Sequence, residues 1–454
     1  MSALTEEARS RTVVGNILKG SLGNLVEWFD FYSFTVFAAY FGAAVFNKHD
    51  EASSLLDAYS VFAAGFLFRP VGSWFFGRYA DRRGRRAALT LSILLMAAGS
   101  LLMALVPSYA VVGLGSPALV FLARAVQGFS VGGEYGTSAT YMSEAATRGR
   151  RGFYSSFQYV TLVSGQVLAL LVQILLQNTL SEGDLKSWGW RIPFAIGAAA
   201  ALTVLWLRRS MAETVPAEQM HAARSAAKGE AAPGTFRLLA RHWKPFLVVF
   251  GLTLGGTVSF YTYTTFMQSW MSHGIPDKKV VTLINFCALF LFMILQPVYG
   301  ALSDRIGRKP LLIWFGIAGA VFTWPILAAI YTNSNPFVAF LLMMAALLIV
   351  LGYTSINALV KAELFPSSIR ALGVGLGYGL ANALFGGTAP YVGQAFKDAH
   401  NNEGFYVYVI VCIAVSLAVY IWAFSNKSAT YLDAEQGHAY GRPQEPEAEP
   451  ALSK

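Results

Sequence analysis

Four ionisable side chains stand inside otherwise apolar runs: Glu27, Asp30, Arg69 and Arg124. An ionised group is expensive in hydrocarbon, so each should face a cavity or a partner. Glu27 and Asp30 lie three apart and share one helix face. Arg69 precedes Asp81 by about 18 Å of helix, which puts it near the middle of a bilayer. Arg124 shares a face with Gln127, Val131 and Tyr135, whereas Glu134 points roughly 80° away from that line. The chemistry open to these groups is proton exchange on a carboxylate and retention of an anion by guanidinium groups. A carboxylate beside an arginine stays ionised; separating the two, or inserting a competing anion, makes it take a proton. Either Arg124 or Arg69 is a plausible partner for Asp30.

Stripping water from an anionic group requires cations or strong donors in its place. Arg69 and Arg124 are the best placed. Lys361 is a third, although it also reads as a snorkelling lysine or a partner of Glu363. Neutral polar side chains complete the candidate substrate site: Gln127, Tyr159 and Gln166, Tyr261 and Tyr263, Tyr353 and Asn357, Tyr378 and Asn382. No Gly-Lys-[Ser/Thr] phosphate loop is present, and six scattered histidines form no ligand set or nucleophile arrangement, so ATP drive, a catalytic residue and a metal site have no support.

These groups must be positioned by membrane helices. The chain is 55% hydrophobic and 13% charged, and charge-free runs of bilayer length, about 20 residues, recur along it. The pattern predicts an all-α membrane protein with twelve transmembrane helices in two six-helix bundles. The spans fall near 16–46, 58–79, 86–107, 116–144, 153–177, 190–209, 244–271, 279–303, 309–331, 336–362, 370–396 and 404–426. Residues 1–15 form a cytoplasmic amino terminus, 16–209 the first bundle, 210–243 a polar linker, 244–426 the second bundle, and 427–454 a disordered tail. With the amino terminus inside, the outer loops hold only Lys48, Lys186, Arg191, Lys278, Lys279 and Lys397, which predicts both termini in the cytoplasm. The net charge of +9 is then topogenic, and nucleic acid is not a partner. Cys287 and Cys412 read as packing thiols, and Trp188, Trp190, Trp206 and Trp243 as interface anchors.

Two charged elements recur about 220 residues apart. Gly77 to Arg86, with Asp81, Arg82 and Arg85, reappears as Gly300 to Lys309, with Asp304, Arg305 and Arg308. Glu144 with Arg151 reappears as Glu363 with Arg370. Arginines of the loops are expected to pair with carboxylates such as Glu144 and Glu363, latching the halves on the cytoplasmic side and parting when the inner gate opens.

These repeats resemble the major facilitator superfamily. Gly23-Asn24-Leu25-Val26-Glu27-Trp28-Phe29-Asp30-Phe31-Tyr32, Phe68-Arg69-Pro70-Val71-Gly72, Arg124-Ala125-Val126-Gln127-Gly128 and Trp188-Gly189-Trp190-Arg191-Ile192-Pro193-Phe194 resemble its metabolite:proton symporter family. The resemblance implies proton-driven import of a dicarboxylate, 2-oxoglutarate first, by alternating access across a bacterial inner membrane. It implies a monomer that needs no cofactor beyond the proton gradient. In sugar–proton symporters of the superfamily a helix-1 acid and a helix-4 arginine form a proton switch; the matching positions are Asp30, with Glu27 second, and Arg124. Citrate, β-ketoadipate or shikimate are alternative cargoes, an osmolyte a weaker one, and a transporter-shaped receptor a remote one.

Overall fold

The computed structural model describes residues 2–46, 51–83, 85–132, 134–144, 146, 149–209, 242–366, 369–423 and 430–432. Their side chains are described except at 2–22, 77, 78, 80–82, 85, 86, 89, 134, 137, 138, 141, 144 and 206–209. Residues 210–241 of the expected linker, and the tail apart from 430–432, lie outside the described residues. Among the described residues every regular element is helical.

Twelve spans follow in order. Span 1 is Ser2–Phe46, and span 2 is two helices, Glu51–Leu67 and Arg69–Arg83. Span 3 is Arg85–Leu105. Span 4 joins Gly115–Val131 to Glu134–Glu144. Spans 5 and 6 are Arg151–Thr179 and Ile192–Arg209. Span 7 runs as Trp243–Tyr261, a π-helical turn Thr262–Phe266, and Met267–Met271. Spans 8 and 9 are Lys278–Ile306 and Arg308–Thr332. Span 10 is broken into Pro336–Thr354 and Asn357–Ala362. Span 11 is Arg370–Ala381, a π turn Asn382–Gly386, and Ala389–Asp398; span 12 is Asn402–Ala423.

Seven of these, spans 1, 5, 7, 8, 9, 10 and 12, are long and apolar enough to cross a membrane, and spans 3 and 6 are shorter apolar helices. Spans 2, 4 and 11 are interrupted, and they sit where the halves meet. Within the first half spans 1 and 5, 3 and 6, 3 and 4, and 2 and 4 pack together. Within the second, spans 7 and 12, 9 and 12, 9 and 10, and 7 and 11 do so. The halves join through span 5 on span 8 and through spans 2 and 4 on span 11.

Local signals set the helix ends. The Asp277 side chain accepts from the Lys279 amide at 2.9 Å, capping span 8. Asn335 caps span 10 from ahead of Pro336. At the other end of the bundle Gly307, at φ 91°, makes the turn from span 8 to span 9, a conformation that costs glycine little. That end, with both Asp-Arg-x-Gly-Arg loops, is called the motif end below.

Candidate functional site

Close backbone contact between spans 2 and 4 seats both arginines. A Cβ on Gly128 would stand 1.8 Å from the Gly65 carbonyl oxygen, and one on Gly132 2.1 Å from that of Arg69. Gly128 and Gly132, four apart, thus let the two backbones touch, as small residues do in membrane helices. Span 2 breaks at Phe68, just before Arg69-Pro70, because proline lacks an amide hydrogen and crowds the residue before it.

Asp30 and Arg124 are both buried. Gln127 Nε2 donates to Asp30 Oδ2, and Gln127 Oε1 accepts from Arg124 Nη1 at 2.7 Å. The carboxylate is therefore linked to Arg124 through an amide, and Arg69 does not pair with it. Gln127, expected on the substrate, instead spans acid and base. Glu27 is buried one turn away and has a partner of its own.

Arg69 lies in an aromatic nest. Its guanidinium carbon is 3.9 Å from the Phe66 ring centre, 4.4 Å from Phe31 and 5.1 Å from Trp28. Nε and Nη2 are buried and make no hydrogen bond; the Tyr32 and Tyr261 hydroxyls lie near each other, and Tyr261 near Arg69, without meeting good hydrogen-bond geometry. Buried donors normally find acceptors, so this cluster is chemically unsatisfied.

The second half brings Lys361 to the same region. Its ammonium nitrogen sits 4.1 Å from the Tyr378 ring centre, 5.7 Å from Tyr135 and 5.8 Å from Tyr353. Its one hydrogen bond among the described residues is a long one, 3.5 Å to the Tyr353 hydroxyl. Glu363 lies instead 3.6 Å from Arg308, so the pairing of Lys361 with Glu363 is absent and the snorkelling alternative fails with it: Lys361 is fully buried. Tyr378 is the meeting point, since its ring lies beside Lys361 and stacks on Tyr135 of the first half. Asn357 Nδ2 donates to the Tyr159 hydroxyl at 2.8 Å, tying span 10 to span 5.

Two expected ligands are otherwise engaged. Gln166 Nε2 donates to the Thr264 carbonyl at 2.8 Å, inside the π turn of span 7. Asn382 accepts from Thr257 at 2.6 Å and donates to the Tyr378 carbonyl at 3.0 Å, fixing the π turn of span 11. Trp190, expected at a membrane interface, is fully buried against Phe41 and Phe194, whereas Trp188 and Trp243 are exposed. The side chain of Trp206 lies outside the described residues.

At the motif end the halves touch through backbone. A Cβ on Gly300 of span 8 would stand 2.4 Å from the Gly152 oxygen of span 5, and one on Gly136 of span 4 2.4 Å from the Ala371 oxygen of span 11. Directly beside that crossing the rings of Tyr135 and Tyr378 stack at 3.6 Å between centres, one from each half. Asp304 accepts from the amides of Gly152 at 2.8 Å and Phe153 at 3.0 Å, so a carboxylate in the last turn of span 8 caps a helix of the first half. The described arginine–acid pairs, Arg308 with Asp304 at 3.4 Å and with Glu363 at 3.6 Å, lie within the second half. The expected pairing of a loop arginine with Glu363 is thus present, inside the second half, and among the described residues the polar contact of Asp304 across the halves is carboxylate to backbone. Arg370 donates to the Ala362 and Phe365 carbonyls at 3.0 Å each, closing the end of span 10, and Arg305 is exposed. Arg151 donates to the Leu432 carbonyl at 3.4 Å, and the Leu432 side chain is buried on Leu359 and Ala362. The side chains of Asp81, Arg82, Arg85, Glu134 and Glu144 lie outside the described residues.

The opposite end holds a cavity of about 330 Å³ between the halves, lined by Tyr40, Tyr59, Gln173, Gln268, Lys278 and Lys397 among others. Aromatic contacts of Tyr59 with Phe266, and of Phe62 and Phe66 with Tyr261, lie between it and Arg69. Lys278 of span 8 meets Glu51 of span 2 at 3.0 Å and Glu182 at 3.8 Å, joining the halves there.

Tyr32, Tyr135 and Phe31 belong to this site and were not singled out as ligands from sequence. Tyr135 had a signal, since it continues the Arg124 helix face; Tyr32 and Phe31 had none beyond proximity to Asp30.

Arg69 and Lys361, buried where two packed helical halves meet, are the kind of groups with which a membrane transporter holds a cargo. The sugar (and other) transporter family profile matches residues 17–229 and 208–436, and the chain belongs to that family. It is 48% identical to the alpha-ketoglutarate permease of Escherichia coli (strain K12) over 411 residues, covering 90% of this chain and 93% of the relative. It is 34% identical to the citrate-proton symporter of Salmonella typhi, covering 93% and 96%. The proton:xylose symporter XylE bound to 6-bromo-6-deoxy-D-glucose superimposes with a TM-score of 0.76 at 20% identity, over 95% of this chain and all of that one, which establishes the fold.

Proposed function

We propose that this chain is a proton-coupled importer of a dicarboxylate, with 2-oxoglutarate as the first candidate, working by alternating access. The motif end faces the cytoplasm of a bacterial cell, both termini are cytoplasmic, the membrane is the inner one, and a single chain is the working unit. The half boundaries are those of the linker, 210–243.

One observation carries the reading. Arg151 and Arg370 are buried at the motif end; of the three cations buried deeper in the spans, Arg124 is committed to Asp30 through Gln127, while Arg69 and Lys361 have no carboxylate within ion-pair distance among the described residues. Two uncommitted cations, one from each half, match two carboxylates; a third carboxylate would find no cation. The match to the alpha-ketoglutarate permease supports the same choice over citrate. Each half would hold one end of the anion, so binding favours closure of the halves around it. Asp30 carries the proton, and no chemistry is done on the cargo.

The test is uptake of labelled 2-oxoglutarate into proteoliposomes under an imposed proton gradient, with unlabelled citrate, β-ketoadipate, shikimate and glycine betaine as competitors. Accumulation should require the gradient, and 2-oxoglutarate itself should compete best. In the Asp30→Asn protein accumulation should vanish while exchange of internal for external substrate persists. Accumulation that ignores the gradient, or stronger competition by a tricarboxylate, would reject the proposal.

A further inference from the structure

Phe31 is shared by two cations. The Arg69 guanidinium lies 4.4 Å from its ring centre and that of Arg124 4.3 Å. Each arginine also has rings of its own, Phe66 and Trp28 for Arg69, Phe34 and Phe62 for Arg124. Nε and Nη2 of both arginines make no hydrogen bond, so the aromatic faces replace the water these charges have lost. Arg124 uses its remaining bonded nitrogen, Nη1, on Gln127, which in turn holds Asp30.

A cation over an aromatic face draws π density toward itself, so a second cation on the same ring is held less firmly. We infer that Phe31 is a positioning residue that couples anion binding at Arg69 to protonation at Asp30. The inference rests on the symport reading above. When a substrate carboxylate draws Arg69 off the ring, Phe31 holds Arg124 more strongly. Arg124 then leans away from Gln127, and the Gln127–Asp30 bond loses its anchored partner. Asp30, less stabilised as an anion, takes a proton from the aqueous side that is open. The sign is that of symport, because anion binding favours proton binding. By reciprocity the proton must strengthen anion binding by the same factor.

That factor is measurable as the ratio of 2-oxoglutarate dissociation constants at high and low pH on the purified protein. Replacing Phe31 by mono-, di- and trifluorophenylalanine keeps the ring's shape while stripping its negative face, which avoids the packing loss of Phe31→Leu. The ratio should fall stepwise with fluorination, by about threefold or more for the trifluoro ring, with Phe31→Leu no higher than that. A wild-type ratio above one that fluorination leaves unchanged overturns the role of Phe31 alone. A wild-type ratio of one overturns proton coupling itself, and this inference with it.

Discussion

At the scale of single residues, the site was legible where a charge interrupts an apolar run. Asp30, Arg69, Arg124 and Lys361 announce themselves because hydrocarbon tolerates such groups only for a reason. What each one touches was not legible. Gln127 shares a helix face with Arg124, but spacing within one helix cannot say that its amide reaches Asp30 on another. Gln166 and Asn382 have the polarity of ligands and turn out to satisfy the backbone and neighbours of two π turns. Phe31 is hidden among 33 phenylalanines and Tyr32 among 21 tyrosines, so residue type gives no contrast. Arg69 provides the sharpest residue-level test. Arg69→Lys keeps the charge but loses the planar fork and most of the aromatic stacking. Affinity for 2-oxoglutarate should drop about tenfold or more, roughly 1.4 kcal/mol, in equilibrium binding; an unchanged dissociation constant would remove Arg69 from the anion site.

At the scale of elements, hydropathy finds the spans but not their interruptions. The break in span 10 and the π turns in spans 7 and 11 are met by side chains from other helices, which a window along one helix does not contain. Only the break at Phe68 has a local cause, in Pro70. The glycine pairs were visible as abundance, and their partners became clear only when the helices were set side by side. Gly152 against Gly300 makes the consequence testable. A Gly300→Leu side chain must displace the span 5 backbone, and overpacking of this kind costs about 1–3 kcal/mol. The form closed at the motif end should lose population by about tenfold to a hundredfold. Cysteine labelling at that end, with a probe placed on span 5, should accelerate accordingly; labelling at the wild-type rate would show that the crossing is not part of the seal.

At the scale of the whole molecule, the duplication of charged loops read correctly as two related halves, because charged loops and spans repeat together. The tail read less well: Leu432 lies in a stretch expected to be disordered and is buried in the motif end. Nothing in a Pro/Glu-rich tail marks one leucine as anchored, since its seat on Leu359 and Ala362 exists only once span 10 has folded. The two ends of the bundle are closed by different forces. At the motif end backbone lies on backbone, with buried side chains around it. At the opposite end Lys278 bridges Glu51 and Glu182, all of them substantially exposed, and Lys186 beside Glu182 holds that carboxyl below its ordinary range. Exposed ion pairs are worth about 0–1 kcal/mol each and fade as salt shortens the Debye length. Energy transfer between dyes across Glu51 and Lys278 should therefore shift toward the parted state as sodium chloride rises, and the shift should vanish in Lys278→Gln. Labels across the Gly152–Gly300 crossing should respond to salt hardly at all. The same polypeptide would then divide its time between its two faces differently in fresh water and in brine, with the surrounding medium setting the proportion.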